Sequence, residues 1–488
     1  MSNTINMYVC GPTVYNDSHI GHARIYVMVD IINRTMTNIL NQDTHLVMNI
    51  TDIDDKIIKA ANNQSVSWQT LSKKYEDKFF ESMAKLGVAK PDVVIRVSES
   101  IDDIIKYIQQ IINNDFAYVT SDGSVYFDTI KYVNAGYILD CDIDIEEQTY
   151  ESQIASNIVN EKRHIKDFAL WKSRVDCDVG FFVEFIFNGS IIKTYGVPGW
   201  HIECSAMIER TIGDSVNIHF GGIDLKFPHH HNECLQANAY YHPKYKPNTL
   251  INTNEKWTQE FIHVGHLCVE GQKMSKSLKN FSTIDEVLET VNSNEMRWMF
   301  MQNNWRKPME FNNGVIEHAK NFNQIINNFL NRTANYPFNI MDIKYSDNEI
   351  QFKKETQKNI SNISNNLSKF EFHHLVNNLI DLISKTNIYL DKPNPNESVV
   401  KKITNYILNL ITQLGFNYET NNSIDISNIM KVIVETRTDY RKITRNKNIS
   451  KDVKNEIFNV LDSERNLRLP SIGISLEDTR DSSSWYIN

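Results

Sequence analysis

Two short motifs and one scattered quartet carry residue types that could do chemistry. In Lys273-Met274-Ser275-Lys276-Ser277, with Gly271 just before it, two lysines three apart sit on a serine-containing loop and could neutralise a polyphosphate. In His19-Ile20-Gly21-His22, two imidazoles flank a glycine where a strand-loop-helix crossover puts a helix N-terminus. Backbone N–H groups and the helix dipole attract phosphate there, and Gly21 lets a purine approach the backbone. Either motif alone fits a surface loop or a capping role. Together, in this order and about 250 residues apart, they point to adenylyl transfer, in which charge grows on an α-phosphate and on departing pyrophosphate. The third set is Cys10, Cys204, His229 and Glu233, the thiolate, imidazole and carboxylate donors that zinc takes. His229 and Glu233 share a face if helical, behind a Pro228 that suits a helix start. Spacing alone does not assemble this quartet: Cys10 and Cys204 are 194 residues apart, and His230 and His231 offer competing ligands. Asp52, Asp54 and Asp55 resemble a carboxylate cluster but read as helix-start acids and structural contacts.

Several elements must position these groups. Met7–Val9 reads as a strand and Cys10-Gly11-Pro12-Thr13 as a turn-rich loop. A helix is predicted from His19 to about Leu40, with Ile25, Val29, Ile32, Met36 and Leu40 spaced by three and four. Thr44–Ile50 reads as the next buried strand, giving a crossover unit that feeds a parallel sheet. A long helical stretch from Ile57 to Leu86 breaks around Asn62–Ser67. The fold class is therefore α/β, with a strand–helix crossover pattern feeding a parallel sheet over 1–115 that resumes over 199–254. Residues 116–198 interrupt it with two predicted hairpins, one turning at Ser121-Asp122-Gly123-Ser124 and the other joining Phe181–Phe187 to Ser190–Tyr195. Residues 255–311 carry the lysine loop, 312–415 read as a helical bundle, and 416–488 as a small C-terminal domain.

Composition bounds the function. A chain of 488 residues predicts two to four domains by the rough domain-size prior. No run approaches the ~18 apolar residues of a membrane span. The N-terminus lacks a basic-then-apolar leader, so a cytoplasmic protein with reduced thiols is expected. Six cysteines are too few for a disulfide scaffold, and Cys141, Cys177, Cys234 and Cys268 read as ordinary thiols. A net charge of −9 argues against indiscriminate polyanion binding. It averages over Arg437–Lys454, where seven basic residues face two acids and form a candidate phosphate footprint, although most charge runs are solvated faces.

The stretches MYVCGPTVYNDSHIGHAR (7–24), MNITDIDDKIIKAAN (48–62), DFALWK (167–172), PGWHIECSAMI (198–208), HFGGIDLKFPHHHNE (219–233) and EGQKMSKSLKNF (270–281) resemble, in that order, the cysteinyl-tRNA synthetases, a class I aminoacyl-tRNA synthetase family. Weaker similarity continues to Trp485. The resemblance implies a Rossmann-type catalytic domain split by a connective insertion, a stem-contact region around the lysine loop, a helical bundle and an anticodon-binding domain. It implies ligation of L-cysteine to tRNA(Cys) with ATP and Mg²⁺, by a monomer holding one zinc ion that binds the substrate thiolate. Residue by residue, it implies Cys10, Cys204, His229 and Glu233 as zinc ligands. His19, Gly21, His22, Asp224, Lys273 and Lys276 fall to ATP, with Lys276 favoured for the phosphates. Gly11, Thr13, Thr51, Trp200 and His219 fall to the amino-acid pocket, with a structural role as the alternative for Thr51 and Trp200 and a ligand-orienting one for His219. The chain departs from the family pattern at Val197, Phe220 and His231, on the pocket rim, and in having only six residues before Met7.

The implied metal also answers a selectivity problem. Cysteine and serine differ only by sulfur for oxygen, which an ordinary pocket contact discriminates by about 1–3 kcal/mol. A thiophilic ion that lowers a thiol pKa separates them by ligand chemistry instead, so no editing domain is expected. Two rivals remain. A relative that joins cysteine to an amino sugar would lack a full anticodon domain, and a non-catalytic RNA-binding descendant would have lost the two phosphate motifs.

Overall fold

Strand β1 (Ile5–Val9) lies at the centre of a five-stranded sheet, and its Met7, Tyr8 and Val9 are fully buried, as a strand covered on both faces must be. The computed structural model describes residues 4–137, 161–174, 179–244, 256–274, 281–336, 347–418, 426–446, 448–472, 474–478 and 483–487. The chain divides into two compact units, Met1–Tyr418 and Glu419–Asn488.

In the first unit, α1 (Ile20–Arg34) crosses from β1 to β2 (Thr44–Ile50), and its helical path continues as a wider turn over Thr35–Ile39. Then come α2 (Asp55–Gln64), α3 (Trp68–Lys85), β3 (Val93–Arg96) and α4 (Ile101–Asn113). Asp54 caps α2 by accepting from Lys56 N at 2.8 Å, Asp52 accepts from Ser98 N at 2.9 Å, and Asp55 pairs with Lys172 and Arg174. All three acids thus have structural partners. The insertion supplies β4 (Ala117–Val119), β5 (Val125–Phe127), α5 (Thr129–Asn134), β6 (Ala169–Ser173), β7 (Phe181–Phe187) and β8 (Ser190–Pro198). Its strands form a separate antiparallel sheet in the order β4-β5-β6-β8-β7.

The chain returns through α6 (Trp200–Thr211), β9 (Val216–Gly222), α7 (His231–Tyr240) and β10 (Thr258–Val264). The parallel sheet then reads β10-β9-β1-β2-β3, with Met7 opposite Leu46 on one side and Ile218 on the other. Strand order reverses at β1, and a crevice at the carboxyl ends of such strands is where ligands bind in open α/β sheets. Next follow β11 (Leu267–Val269), β12 (Gln272–Lys273), α8 (Ile284–Leu288), α9 (Ser293–Met301) and β13 (Met309–Glu310), and then four long helices. These are α10 (Asn313–Ala334), α11 (Asp347–Ser368), α12 (Phe372–Leu390) and α13 (Glu397–Gln413). They share one continuous apolar core with α1 and α9. Buried Arg297 crosses that junction, donating to Asp30 Oδ2 and the Gly87 carbonyl at 2.6 Å each and to the Leu414 carbonyl at 3.2 Å.

The second unit contains α14 (Ile426–Thr444), α15 (Lys451–Ser463) and a hairpin of β14 (Ile474–Asp478) with β15 (Ser483–Ile487). Its small core includes Met430, Leu469, Ile474 and Leu476. Here the proposed basic footprint needs correcting. Arg437 is 2% exposed and donates to the Leu461 carbonyl, Glu464 Oε2 and Asp478 Oδ2, each at 2.8 Å. Arg441 lies 3.5 Å from Asp478. Arg437 is therefore a core fastener with no surface to offer a phosphate, and Lys447 lies outside the described residues.

Candidate active site

A cavity of about 480 Å³ opens at the carboxyl ends of β1 and β9. It brings together Cys10, Gly11, Thr13, His19, Gly21, His22, Thr51, Trp200, Cys204, Asp224, His229 and Lys273. Lys276 lies outside the described residues.

Cys10 directly follows β1, and its N–H donates to the Phe220 carbonyl of β9 at 3.2 Å. Gly11 follows because nothing larger fits: a Cβ there would overlap the Asn49 carbonyl oxygen. Cys204 lies on α6, and His229 sits in the turn Lys226–His230 that runs into α7, which carries Glu233. All four are buried, with ligand atoms within 4.8 Å of one another.

The quartet fits a tetrahedral cation. Its two Sγ atoms are 3.8 Å apart, which matches the edge of about 3.8 Å that two sulfurs about 2.3 Å from one zinc would make. His229 Nε2 approaches Glu233 Oε1 to 2.9 Å, yet that buried oxygen makes no hydrogen bond. A buried carboxylate oxygen left without a hydrogen bond, set among two thiols and an imidazole, suits an ion site. The set is a possible metal-binding cluster compatible with zinc.

Its electrostatics suit that reading. Burial, with Cys204 beside it, holds the Cys10 thiol well above its ordinary range. Burial also opposes the Cys204 thiolate, but Cys10 and His229 outweigh it and bring Cys204 to about 6. For His229, burial disfavours charge, while Glu233 and Cys204 more than reverse this and raise it to about 10. Burial opposes the charged form of Glu233 as well, yet His219 and His229 hold it well below the carboxylate range.

Other side chains hold the quartet in place. The Trp200 ring stacks on His229 at 4.4 Å between centroids, so it touches both cavity and ligand. His201 Nδ1 stands 3.1 Å from His229 Nδ1, which fixes which nitrogen of His229 faces the cluster. Thr51 lines the cavity and donates to Glu203 Oε2 at 3.1 Å, and burial raises the Glu203 carboxyl well above its usual range. His219 does not line the cavity. It is fully buried behind Glu233, with Nε2 at 2.8 Å from Glu233 Oε2, so it acts on the carboxylate and cannot touch a molecule in the pocket.

At the mouth, His19 is the N-cap of α1 and its ring stacks on that of His22 at 3.8 Å. The loop before α8 is joined here: Ile20 N donates to the Ser282 carbonyl at 3.1 Å and Ile284 N to the Ser18 carbonyl at 3.0 Å. Lys273 reaches Asp224 at 3.3 Å across the opening. Two residues after His22, buried Arg24 donates to the carbonyls of Gly265 (2.9 Å), His266 (2.6 Å) and Lys307 (2.8 Å), and burial lowers it to about 10. It fastens α1, which carries both histidines, to the strand connection that leads to Lys273. Sequence reasoning missed Arg24, His201 and Glu203. All three fall inside the motif stretches, but each acts through a partner remote in sequence or through burial, and neither leaves a local signature.

Comparison with known proteins shows the family. A family model for the tRNA synthetases class I (C) catalytic domain matches residues 1–321. The chain is 55% identical to a cysteine–tRNA ligase of Acanthamoeba polyphaga mimivirus, over 99% of this chain and 96% of the relative. It is 36% identical to a cytoplasmic cysteine–tRNA ligase of Dictyostelium discoideum, over 97% and 73%, and 34% identical to one of Methanococcus aeolicus, over 99% and 95%. A Mycobacterium tuberculosis methionyl-tRNA synthetase structure superposes with a TM-score of 0.56 over 84% of this chain and 90% of that one, at 12% identity, a likeness of fold alone. Family match, near-full-length identity and the shared fold all lead to one assignment: the chain belongs to the cysteine–tRNA ligase family of class I tRNA synthetases.

Proposed function

We propose that the protein activates L-cysteine with ATP, releasing pyrophosphate, and transfers the cysteinyl group to the 3′-terminal adenosine of tRNA(Cys). The observation that carries this reading is a single cavity joining a Cys-Cys-His-Glu cluster to His19, His22 and Lys273. Cys10, Cys204, His229 and Glu233 would hold one zinc ion. When bound, zinc supplies a soft Lewis acid that prefers a thiolate to a hydroxyl. Trp200, Thr51, Gly11 and Thr13 surround the amino acid, while His219 positions Glu233. The cysteine carboxylate attacks the α-phosphate in line, so no side-chain nucleophile is needed. His19 and His22 donate to the phosphates from the start of α1, Gly21 admits the purine, and Asp224 faces the ribose. Lys273 and Lys276 neutralise the departing pyrophosphate, together with the Mg²⁺ that ATP brings. The adenosine 2′-hydroxyl of the tRNA then attacks the carbonyl carbon of the adenylate, forming the ester and expelling AMP as the acyl–phosphate bond breaks, with residues 416–488 reading the anticodon.

The reading includes a cytoplasmic, monomeric enzyme; among the described residues no helix is long and apolar enough to cross a membrane. The test is cysteine-dependent ATP–pyrophosphate exchange by purified, zinc-loaded protein, followed by charging of tRNA(Cys). Exchange with cysteine and not serine, then cysteinyl-tRNA formation, is expected. Exchange without charging, with transfer to an amino sugar instead, would overturn the tRNA assignment.

A further inference from the structure

More potential ligands crowd the cavity floor than one tetrahedral ion needs. A second set, Cys10, His219, His230 and Glu233, also has its ligand atoms within 4.8 Å of one another and is fully buried. It shares Cys10 and Glu233 with the first. Cys10 Sγ is 3.4 Å from His230 Nε2, near the edge of about 3.5 Å between a sulfur and a nitrogen bound to one zinc. The Glu233 carboxylate straddles the two sets: Oε1 is 2.9 Å from His229 Nε2 and Oε2 is 2.8 Å from His219 Nε2. Each set also has a histidine behind it. His201 backs His229 at 3.1 Å, and His263 Nε2 backs His230 Nδ1 at 2.9 Å, which leaves His230 Nε2 to face Cys10. His219 Nδ1 is a buried nitrogen that makes no hydrogen bond. The two sets differ in access: Cys204 and His229 line the cavity, whereas His219 and His230 do not.

We propose that Cys10, His219, His230 and Glu233 form a second, rear metal seat that overlaps the first and holds the same single zinc ion when Cys204 or His229 releases it. The proposal rests on the zinc reading of the first set. One thiolate, two imidazoles and a carboxylate are all ordinary zinc donors. The two shared ligands let the ion pass from one seat to the other without leaving the protein. An ion in the rear seat is withdrawn from the cavity and selects no substrate.

The full-length His229→Asn variant keeps both thiols and tests this directly by zinc X-ray absorption. The expected result is a fall from two sulfur ligands to one, with a gain in histidine scattering; two retained sulfurs would overturn the proposal. Cobalt titration of the C204S/H229A variant gives a second measure. One equivalent should bind with about half the wild-type thiolate-to-cobalt charge-transfer intensity, and adding His230→Ala should weaken binding by at least about a hundredfold. A folded C204S/H229A protein that binds no cobalt, or no further loss on adding His230→Ala, sinks the rear seat. Wild-type protein that binds neither metal sinks instead the zinc reading on which the proposal rests.

Discussion

At the floor of the cavity Cys204, His229 and Glu233 are 2%, 1% and 0% exposed, whereas at its mouth the side chains of Lys273 and Asp224 are each 46% exposed. The floor is backed by His201, His219 and Trp200, so its donors are held in one geometry. Burying so many ionisable groups is costly unless each is paired or coordinated. In the proposed function that cost would be justified, because telling sulfur from oxygen depends on fixed ligands in a buried site. The mouth uses exposed charge. An exposed ion pair contributes only about 0–1 kcal/mol, so Lys273 can exchange Asp224 for a phosphate at little cost. In the proposed function, selection and phosphate handling would thus occupy sites of opposite solvation within one cavity.

Substitutions at floor and mouth should therefore fail in different ways. The largest effect belongs to Cys204→Ser, which should lower cysteine-dependent pyrophosphate exchange by about 10³-fold or more, equivalent to about 4 kcal/mol, and leave ATP binding by calorimetry within about twofold. Unchanged cysteine affinity would break the assignment of the floor. Lys273→Ala should reduce kcat for exchange by about 10²-fold with little change in KM for cysteine, as expected when a donor to developing charge is lost. A comparable rise in KM for cysteine would erase the contrast. His201→Asn should weaken zinc affinity by about tenfold, measured against a chelator, because it frees the His229 ring without removing a ligand.

The pH dependence of metal binding sharpens the contrast further. At pH 8 Cys10, held well above its ordinary range by burial and Cys204, and His229, at about 10, carry protons, while Cys204, at about 6, does not. Zinc takes deprotonated donors, so calorimetry in buffers of different ionisation enthalpy should register release of about two protons. Affinity should fall as pH drops, and more steeply below about 6, where Cys204 also takes up a proton. Release of no protons would contradict the electrostatics described for the floor. The smallest effect is at the mouth: Asp224→Asn should change stability by less than about 1 kcal/mol in urea unfolding.

Much of the architecture was legible before any coordinates. The alternation of apolar runs with periods of two and of three to four marked β1, α1, β2 and the insertion hairpins, because each element's burial is written in its own residues. The break predicted near Asn62–Ser67 falls between α2 and α3. The two motifs are local, so His19, His22 and Lys273 could be proposed for phosphate from a few neighbouring residues. Arg437 was misjudged for the opposite reason: charge along a chain does not record which side chains face inward, and its Glu464 and Asp478 partners are 27 and 41 residues away.

By itself, then, the sequence determined much of the order and type of elements, the two candidate phosphate motifs and the donor types available to a metal. The tertiary structure decided which donors meet. Cys10 and Cys204 come together across 194 residues because β1 lies between β9 and β2 and α6 packs against that sheet end, a relation no spacing rule encodes. The structure also moved His219 behind Glu233, revealed Arg24 as the fastener of the mouth, and set two overlapping ligand sets on one carboxylate. Such facts arise from contacts remote along the chain, which form only once the sheet order and the burial of its faces are fixed.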